Sequence, residues 1–343
     1  LVRSLFFKGW LRACAAAAVQ LPANLDEAAR GYVRPLSSGA SDVANAENRD
    51  FFPVSKPTPK LTELAQCTGE LLYTDDLPRA SGQLYGAFAL AHTVGTLERL
   101  DTSTAAAAPG VVKVLTATDV KQAGFVNTLS TESAAEELLV TRRVPHAGAR
   151  LALVLARSRE AAEAAARLVR VSISPPSRPP VVTFDDAIAA KAFFAAKPGE
   201  LRVGDAAAAM KAADVVASGR VECGNQYHFY METQTAAARS DGTGGVIVDV
   251  SMQFPAAVAA AVARCLHLPQ TKVEARMARA GGGYGGKATR SVPCAVAAAC
   301  ASWLLDAPCV IALPLNDNMA MLGSRRPHRL DYTVGAAADG TIL

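Results

Sequence analysis

The sequence has few aromatic residues, little net charge and no long uninterrupted apolar run. Aromatic residues make up 6% of the chain, and 35 Lys and Arg against 31 Asp and Glu leave a net charge of +4. Basic residues do not cluster with interleaved aromatics, which argues against a nucleic-acid-binding protein. The longest apolar stretch, 292–315, is interrupted by Asp306 and Pro308. It therefore predicts a buried helix followed by a strand rather than a membrane span.

The cysteines form no recognisable ligand set. Seven cysteines are scattered along the chain, and none belongs to a C-x-x-C pair. Their spacings match neither zinc nor iron–sulfur sites. An odd number of scattered cysteines in a chain of this length is typical of reduced thiols in a cytosolic protein. We therefore expect a cytoplasmic location.

Length and composition predict more than one globular domain. The chain has 343 residues, of which 50% are hydrophobic and 19% charged, so it can form a sizeable core. Residues 1–60 differ from the rest, because a polar, small-residue-rich linker at 28–48 leads into a proline-rich stretch at 51–60. Proline favours extended backbone there. The domains themselves are therefore expected at 61–180 and 181–343.

The start of the chain allows two interpretations. Arg3 and Lys8 precede an apolar stretch at 13–19, an order that is found in signal peptides. An amphipathic helix at the end of a preceding domain fits the same residues, and we favour that interpretation. Because the first residue is Leu1 rather than Met, we expect the chain to be a fragment of a longer protein.

Residues 61–180 predict a small mixed α/β domain. Strands are indicated at 84–91 and 111–116. The stretch 147–174 predicts a compact β-α-β unit, in which Ser158 caps the start of the helix. Its parts are a strand at 151–155, a helix at 158–167 and a strand at 168–173.

Residues 181–343 also combine helix and strand patterns. A proline at the first turn predicts a helix at 255–265, and alternating polar and apolar residues predict a half-buried strand at 272–278. The other predicted elements are a helix at 183–195, strands at 215–222 and 246–250, an apolar helix at 291–305 and a hairpin turn at Asp339-Gly340. The fold class is therefore α+β or mixed α/β.

A run of glycines is the clearest functional feature. Five of the six residues 281–286 are glycine, Lys287 follows, and the run lies between a predicted strand and a predicted helix. Glycines allow the backbone to approach a ligand closely, and N–H groups at a helix start favour anions. A tight strand-to-helix turn is the structural alternative. Five glycines are more than a turn needs, which favours ligand contact.

Two nucleotide-binding motifs fit this run poorly. The P-loop pattern G-x-x-x-x-G-K-[ST] is met at Gly281, Gly286 and Lys287, but Ala288 stands where a magnesium-binding hydroxyl is required. Gly281, Gly283 and Gly286 match the dinucleotide pattern G-x-G-x-x-G. That pattern also needs an acidic residue about 20 positions later, and Asp306, at the end of a predicted helix, is the only candidate. An NTPase therefore remains a distant alternative.

Three further segments contain candidate residues. Gln253 ends a predicted strand, where its neutral amide could donate to an oxygen ligand or be solvated. His228 and Glu232 have the i, i+4 spacing of a metal pair, but their segment does not predict a helix, so packing is the favoured role. The run Arg325-Arg326-Pro327-His328 could contact an anion, although a solvated charged turn is favoured.

Four motifs together resemble the xanthine dehydrogenase and aldehyde oxidase family of molybdenum hydroxylases. SLFFKGWL at 4–11 resembles the end of the family's flavin domain, and GELLYTDDLP at 69–78 the opening of its hammerhead domain. HFYMET at 228–233 resembles a signature near the start of the molybdopterin domain. GGGYGGKATRS at 281–291 resembles the cofactor-site signature G-G-G-F-G-G-K-E-T-R-S. The motifs occur in the family's order along nearly the whole chain.

The resemblance implies a domain order and a reaction. Residues 1–60 would be the tail of a flavin domain with a linker, 61–180 a hammerhead domain, and 181–343 the first part of a molybdopterin-binding domain. Such enzymes hydroxylate purines, N-heterocycles or aldehydes at a molybdenum–molybdopterin centre with oxygen from water. The full-length protein would also carry two 2Fe-2S clusters and FAD, use NAD or O2 as electron acceptor, and form a homodimer without nucleic-acid or membrane partners.

The resemblance also assigns site residues. Gln253 matches the glutamine that hydrogen-bonds an oxygen ligand of molybdenum, and its distance from the glycine motif agrees with the family. Gly283 belongs to the same cofactor-binding stretch, and Tyr284 and Gly285 match the Phe-Gly pair beside the metal. Tyrosine in place of phenylalanine adds a hydroxyl that needs a partner.

One substrate-pocket residue departs from the xanthine-oxidising pattern. Ala288 stands where xanthine-oxidising members carry a glutamate that contacts the purine. Losing such a contact costs roughly 1–3 kcal/mol of recognition, so Ala288 favours aldehydes or a broad range of heterocycles. No catalytic residue is assigned, because the family's glutamate base comes from a segment after Leu343. The chain alone is therefore expected to be inactive, and a non-catalytic relic or interaction module with the same fold is the alternative.

Overall fold

The structure is a computed structural model, and it describes residues 60–130, 135–193 and 199–343. The chain divides into two compact units, residues 1–72 and 73–343. Of the first unit, the described part contains one short helix, α1 (Glu63–Cys67). The predictions for residues 1–59, including the linker and the apolar start, lie outside the described residues.

The second unit contains both helices and strands, in agreement with the predicted α+β or mixed α/β fold class. The described strands are β1 (Leu84–Leu90), β2 (Gly95–Asp101), β3 (Val111–Leu115), β4 (Thr128–Ser130), β5 (Ala135–Glu137), β6 (Arg143–Val144), β7 (Arg150–Ala156), β8 (Arg170–Ser174), β9 (Val215–Cys223), β10 (Thr235–Ser240), β11 (Val246–Val250), β12 (Val273–Arg276), β13 (Cys309–Ala312) and β14 (His328–Ala336). The described helices are α2 (Ser103–Ala106), α3 (Ala117–Gln122), α4 (Arg159–Ala166), α5 (Phe184–Ala189), α6 (Ala206–Ala212), α7 (Pro255–Cys265), α8 (Val292–Leu305) and α9 (Leu315–Leu322).

A seven-stranded sheet forms the centre of this unit. Its strand order is β12-β11-β10-β13-β1-β7-β3, and only the pairs β11–β12 and β1–β13 are parallel. Strands from both predicted domains contribute, and they meet where Leu84 of β1 pairs with Cys309 of β13. Strands from before and after residue 180 therefore belong to one sheet. The domain boundary at residue 180 stays a prediction.

The middle of this sheet is covered on both faces. All seven residues of β7 are buried. Successive strand residues face opposite sides, so Leu153 and Leu155 join one core cluster while Ala152 and Val154 join another. The first cluster contains α7 and α8, and the second contains the alanines of α4. A strand that is buried on both faces has the continuous apolar sequence seen in β7.

Helix α8 is the most deeply buried helix that the structure describes. Every residue from Val292 to Ser302 is buried, as expected for a helix with apolar residues on all its faces. Its small residues allow close packing against α7, where the Sγ atoms of Cys265 and Cys300 lie 3.2 Å apart. No helix in the described residues is long and apolar enough to cross a membrane.

The two strands and the helix of the predicted β-α-β unit are present, but the expected pairing of the two strands is wrong. Ser158 caps α4, because its side chain accepts a hydrogen bond from the N–H of Ala161 at 3.1 Å. Strand β8, however, pairs with β2 in a separate three-stranded sheet rather than with β7. The exposed residues of β8 do not fit the buried sheet that contains β7.

Several predicted elements end earlier than expected, and six of the described strands were not predicted, namely β2, β4, β5, β6, β10 and β14. Helix α5 ends at Ala189, and Lys191 then adopts a left-handed φ of 50°. Strand β12 covers only the four residues that pair with β11. Strand β9 pairs along its full length with β14, which sequence analysis did not predict. The hairpin turn near Asp339-Gly340 is confirmed, since the N–H of Gly340 donates to the carbonyl of Ala337 at 2.9 Å.

Candidate functional site

The glycine loop, defined as residues 281–287, lies between β12 and α8 in the sequence. It is not directly followed by the helix. Helix α8 begins at Val292, and residues 284–291 form turns and bends. Gly282 and Gly285 have φ angles of +91° and +86°, which L side chains rarely adopt. The run therefore lies between a strand and a helix, as predicted, but four residues separate Lys287 from the start of α8, so the N–H groups of the helix start are not part of the loop.

The other three glycines lie very close to neighbouring side chains. A Cβ at Gly281 would lie 2.5 Å from the Cβ of Glu232, and one at Gly283 would lie 2.6 Å from Oε1 of Gln253. A Cβ at Gly286 would lie 2.7 Å from Cγ of His228. The number of glycines is thus explained by packing and backbone conformation. Open space for a ligand occurs at Gly285, where an added Cβ would meet no atom within 4 Å.

Gln253 and the glycine loop are in direct contact. The N–H of Gln253 donates to the carbonyl of Lys287 at 2.8 Å. Its side-chain Oε1 accepts hydrogen bonds from the N–H groups of Gly285 at 3.0 Å and Lys287 at 3.3 Å. Because the oxygen end of the amide accepts from the loop, the Nε2 end remains as a donor. Gln253 is exposed, so this donor is accessible.

Lys287 takes part in a buried polar network beneath the loop. Its side chain is 0% exposed, and its Nζ donates to Oε2 of Glu232 at 2.9 Å and to Oγ of Ser251 at 2.7 Å. Ser251 donates to the same oxygen of Glu232, which also accepts the N–H of Gly281 at 2.6 Å. The ammonium group lies 4.7 Å from the ring centroid of Tyr230. Lys287 is therefore held by its own chain and is not free to bind phosphate.

Burial and charge act in opposite directions on Lys287. Burial lowers the pKa of its ammonium group, and the hydrogen bond and negative charge of Glu232 partly offset that change. Removing one partner of a buried ion pair that also has charge-assisted hydrogen bonds destabilises a protein strongly, because the other charge is left unpaired. Together with the missing hydroxyl at Ala288, this arrangement argues against a P-loop NTPase.

A second polar network lies against the carbonyl of Gly286. The buried side chain of Gln234 donates from Nε2 to Oη of Tyr230 at 3.0 Å and to the carbonyl of Gly286 at 3.1 Å. The N–H of Gln234 donates to Oδ1 of Asn318 at 2.9 Å, and Asn318 also contacts Tyr227. Burial raises the pKa of Tyr227 to about 12. Sequence analysis missed Gln234 and Asn318, although the aromatic run that precedes Gln234 indicated a packed segment.

His228 and Glu232 both contact other residues around the glycine loop. The segment is irregular, as expected, and the ring of His228 stacks on Tyr230 with centroids 6.1 Å apart. No group of three or more potential metal-ligating side chains occurs among the residues described. The run 325–328 is exposed, as predicted, but it is not a turn, because Arg325 forms a β-bridge with Gln226 and His328 begins β14.

Tyr284 and Ala288 have different environments. Tyr284 is 72% exposed and has a left-handed φ of 50°, so its hydroxyl can bind solvent. Ala288 is half-buried, and its N–H donates to the carbonyl of Gly285 at 3.2 Å. The loop therefore carries an exposed aromatic ring and an open glycine at its tip, with a small apolar side chain at its base.

Two protein-family models match the chain. Residues 68–175 match the a/b hammerhead domain of aldehyde oxidase and xanthine dehydrogenase. Residues 189–343 match the molybdopterin cofactor-binding domain. The glycine loop and Gln253 lie within the second range.

The chain is also similar to named relatives and to solved structures. It is 33% identical to probable aldehyde oxidase 2 from Oryza sativa subsp. japonica, over 85% of the chain and 22% of that protein. It is 33% identical to abscisic-aldehyde oxidase from Arabidopsis thaliana, over 90% of the chain and 23% of that protein. A structure of reconstituted CO dehydrogenase from Oligotropha carboxidovorans has a TM-score of 0.71 at 25% identity, over 83% of the chain and 38% of its own. The chain thus spans less than a quarter of the length of these oxidases.

Proposed function

Because the chain belongs to the xanthine dehydrogenase and aldehyde oxidase family, we propose that it forms one wall of the molybdenum–pterin site of a molybdenum hydroxylase. The observation that carries the proposal is the contact between Gln253 and the glycine loop. The N–H of Gly285 in the loop donates a hydrogen bond to the side-chain oxygen of Gln253 at 3.0 Å. The accessible Nε2 donor is therefore held next to the open space at Gly285.

The residues of the site fit a bound molybdenum–pterin group. Gln253 offers a neutral donor, which suits an oxygen ligand because it adds no charge. Gly285 leaves room for close approach of a ligand to the backbone. Lys287 neutralises Glu232 rather than the cofactor, so the loop presents backbone and amide groups instead of a free charge.

Each site residue has one proposed role. When bound, the molybdenum–pterin group supplies two-electron redox chemistry and activates oxygen from water. Gln253 would donate its Nε2 hydrogen to the bound group and orient it. Gly283 and Gly285 would keep the loop close to Gln253 and to the cofactor. Tyr284 would cover the site with its ring and exclude bulk water from the reacting groups.

Aldehydes and N-heterocycles without a purine-specific contact are the proposed substrates. Ala288 is small and apolar, so it cannot hydrogen-bond a purine. The relatives named above are an aldehyde oxidase and an abscisic-aldehyde oxidase, which supports the aldehyde class. Purines remain the less favoured substrates of this proposal.

The remaining features of the full-length protein are proposed on the family alone. They are the two 2Fe-2S clusters, FAD, NAD or O2 as the electron acceptor, a homodimeric assembly and the three domain ranges at 1–60, 61–180 and 181–343. A cytoplasmic location is supported by the cysteines, since the six in the described residues are all free thiols.

The proposal is tested on the purified protein of full natural length. We expect molybdenum by elemental analysis, a fluorescent pterin after acid release, and aldehyde-dependent reduction of an artificial electron acceptor. Protein from cells grown on tungstate in place of molybdate serves as the control and should fold but lack turnover. A folded protein without molybdenum or pterin would instead establish the non-catalytic relic.

A further inference from the structure

A pocket lies on the larger unit, residues 73–343, and its lining contains neither Gln253 nor a residue of the glycine loop. It has a volume of about 880 Å³ and is lined by Glu136 and Glu137, by part of the stretch 140–150, by Arg290 and by the end of α9. One part of its lining carries arginines and glutamates, while another part is apolar, with Val140, Pro145, Met321 and Leu322. None of the residues proposed to hold the molybdenum–pterin group lines this pocket.

A buried arginine with an unused donor lines the pocket. Arg150 is 2% exposed, and burial lowers the pKa of its guanidinium group, which still stays charged at neutral pH. Its Nε donates to the carbonyl of Leu138 at 2.8 Å, and its Nη2 donates to Oε1 of Glu136 at 2.6 Å and to the carbonyl of Glu137 at 2.8 Å. Its Nη1 has no hydrogen-bond partner among the residues that the structure describes.

A second arginine shares the same carboxylate. Nη2 of Arg290 donates to Oε1 and Oε2 of Glu136 at 3.1 and 2.9 Å. Its Nε is also buried and finds no partner in the described parts of the chain. Although burial opposes ionisation of Glu136, the charges of Arg150 and Arg290 lower its pKa, so the carboxylate is ionised. Two guanidinium groups therefore share one negative charge.

The rest of the lining adds to this imbalance. Arg142 and Arg143 are exposed, and His146 is half-buried. Glu137, the other acidic residue of the lining, already accepts the N–H of Thr141 at 2.9 Å. Four arginines thus face two glutamates. A buried positive charge without a full complement of partners is costly, and an anion that supplies acceptor oxygens relieves that cost.

We propose that this pocket binds an organic carboxylate, with the carboxylate group at Arg150 and Arg290 and the apolar part against Met321 and Leu322. Arginine donors match the planar, two-oxygen geometry of a carboxylate. The apolar part of the lining favours an acid with a hydrocarbon body over an inorganic anion. The site shares no residue with Gln253, Gly283, Tyr284 or Gly285, although Arg290 belongs to the same motif at 281–291.

Binding of benzoate to the purified full-length protein tests the proposal. We expect saturable binding by isothermal titration calorimetry, with no binding of benzamide, which has the same shape without the charge. Arg290→Gln should weaken benzoate binding by roughly tenfold or more, because a charge-assisted contact is lost while the pair between Arg150 and Glu136 remains. Arg159→Gln is the matched control, since Arg159 pairs with Asp75 outside the pocket.

Two further variants separate this pocket from any other benzoate site. Glu136→Gln removes the competing carboxylate and should strengthen binding severalfold, which a merely structural role of the cluster does not predict. Ala147→Trp, at an exposed residue of the lining, should block binding. If benzoate does not bind, if sulfate binds as tightly as benzoate, or if Ala147→Trp and Arg290→Gln both bind like the control, the organic-acid site is overturned.

Discussion

Lys287 and Glu232 form a buried ion pair that joins the two ends of the glycine loop. Nζ of Lys287 lies 2.9 Å from Oε2 of Glu232, and the same oxygen accepts the N–H of Gly281 at 2.6 Å. The N–H of Glu232 in turn donates to the carbonyl of Gly281 at 3.1 Å. One carboxylate oxygen therefore fixes both the first and the last residue of the loop.

Removing the lysine alone should destabilise the protein strongly. Lys287→Met leaves the buried charge of Glu232 without its ion-pair partner, and breaking such a pair costs about 3–5 kcal/mol. The double variant Lys287→Met/Glu232→Gln has no uncompensated charge and should be more stable than Lys287→Met alone. Urea unfolding measures both effects, and hydrogen–deuterium exchange of residues 281–287 reports the local loosening of the loop.

An exposed ion pair in β12 provides the control for that measurement. Arg276 donates to Glu274 at 2.6 and 2.7 Å, but both side chains are solvated. Arg276→Met should therefore change the free energy of unfolding by only about 0–1 kcal/mol. If Lys287→Met is no more destabilising than Arg276→Met, the loop does not depend on the buried pair.

Truncation of Gln253 should reduce turnover without loss of the metal. Gln253→Ala removes the Nε2 donor, and loss of one positioned donor in an active site costs roughly 10²-fold in kcat. The measurement compares kcat per molybdenum atom for the variant and the parent protein. Gln270→Ala, at an exposed glutamine in the turn before β12, is the control. Near-normal kcat with full molybdenum loading would remove the proposed role of Gln253.

A methyl group at Gly283 should move Gln253 without unfolding the protein. The added Cβ would lie 2.6 Å from Oε1 of Gln253, and a flexible side chain yields more easily than backbone. Gly283→Ala should therefore lower kcat by roughly tenfold to a hundredfold, with a stability change below about 1 kcal/mol. Gly224→Ala, which meets no atom within 4 Å, is the control. Equal kcat for the two variants would contradict the proposed importance of the Gln253 position.

A carboxylate at position 288 should shift substrate preference. Ala288→Glu introduces an acceptor that can hydrogen-bond a purine, and such a contact is worth roughly tenfold to a hundredfold in relative kcat/KM. The experiment measures kcat/KM for an aldehyde and for hypoxanthine with the same preparations. Ala288→Leu controls for added bulk without the carboxylate. An unchanged ratio in Ala288→Glu relative to Ala288→Leu would show that this position does not select substrates.

Local patterns predicted the elements that depend on local forces. Helix α7 begins and ends where its proline and its apolar spacing indicate, and Ser158 caps α4 as expected. The partner of β8 was predicted wrongly because pairing depends on distant strands. The pair between Lys287 and Glu232 was missed for a similar reason. These residues are 55 positions apart, and no local period connects them.

The resemblance predicted that Gln253 and the glycine run belong together, but the physical reason for the number of glycines was not predicted. The sequence indicated that Gln253 and the glycine run act together, and their contact is present in the structure. The excess of glycines was attributed to a ligand, whereas Gly281 and Gly286 are explained by their close approach to Glu232 and His228. Such contacts depend on how irregular segments pack, which sequence spacing does not reveal.

The parallel pairing of β1 with β13 has an evolutionary consequence. Gly86 of β1 lies so close to Ile311 of β13 that a Cβ would come within 2.7 Å of its side chain. Residues from the hammerhead half and from the molybdopterin half therefore limit each other's size between these two strands, which lie in the interior of the sheet. A gene fusion or recombination event that replaced one half would break the match between these two strands. The continuous sheet is therefore one packed structure to which both matched domains contribute strands.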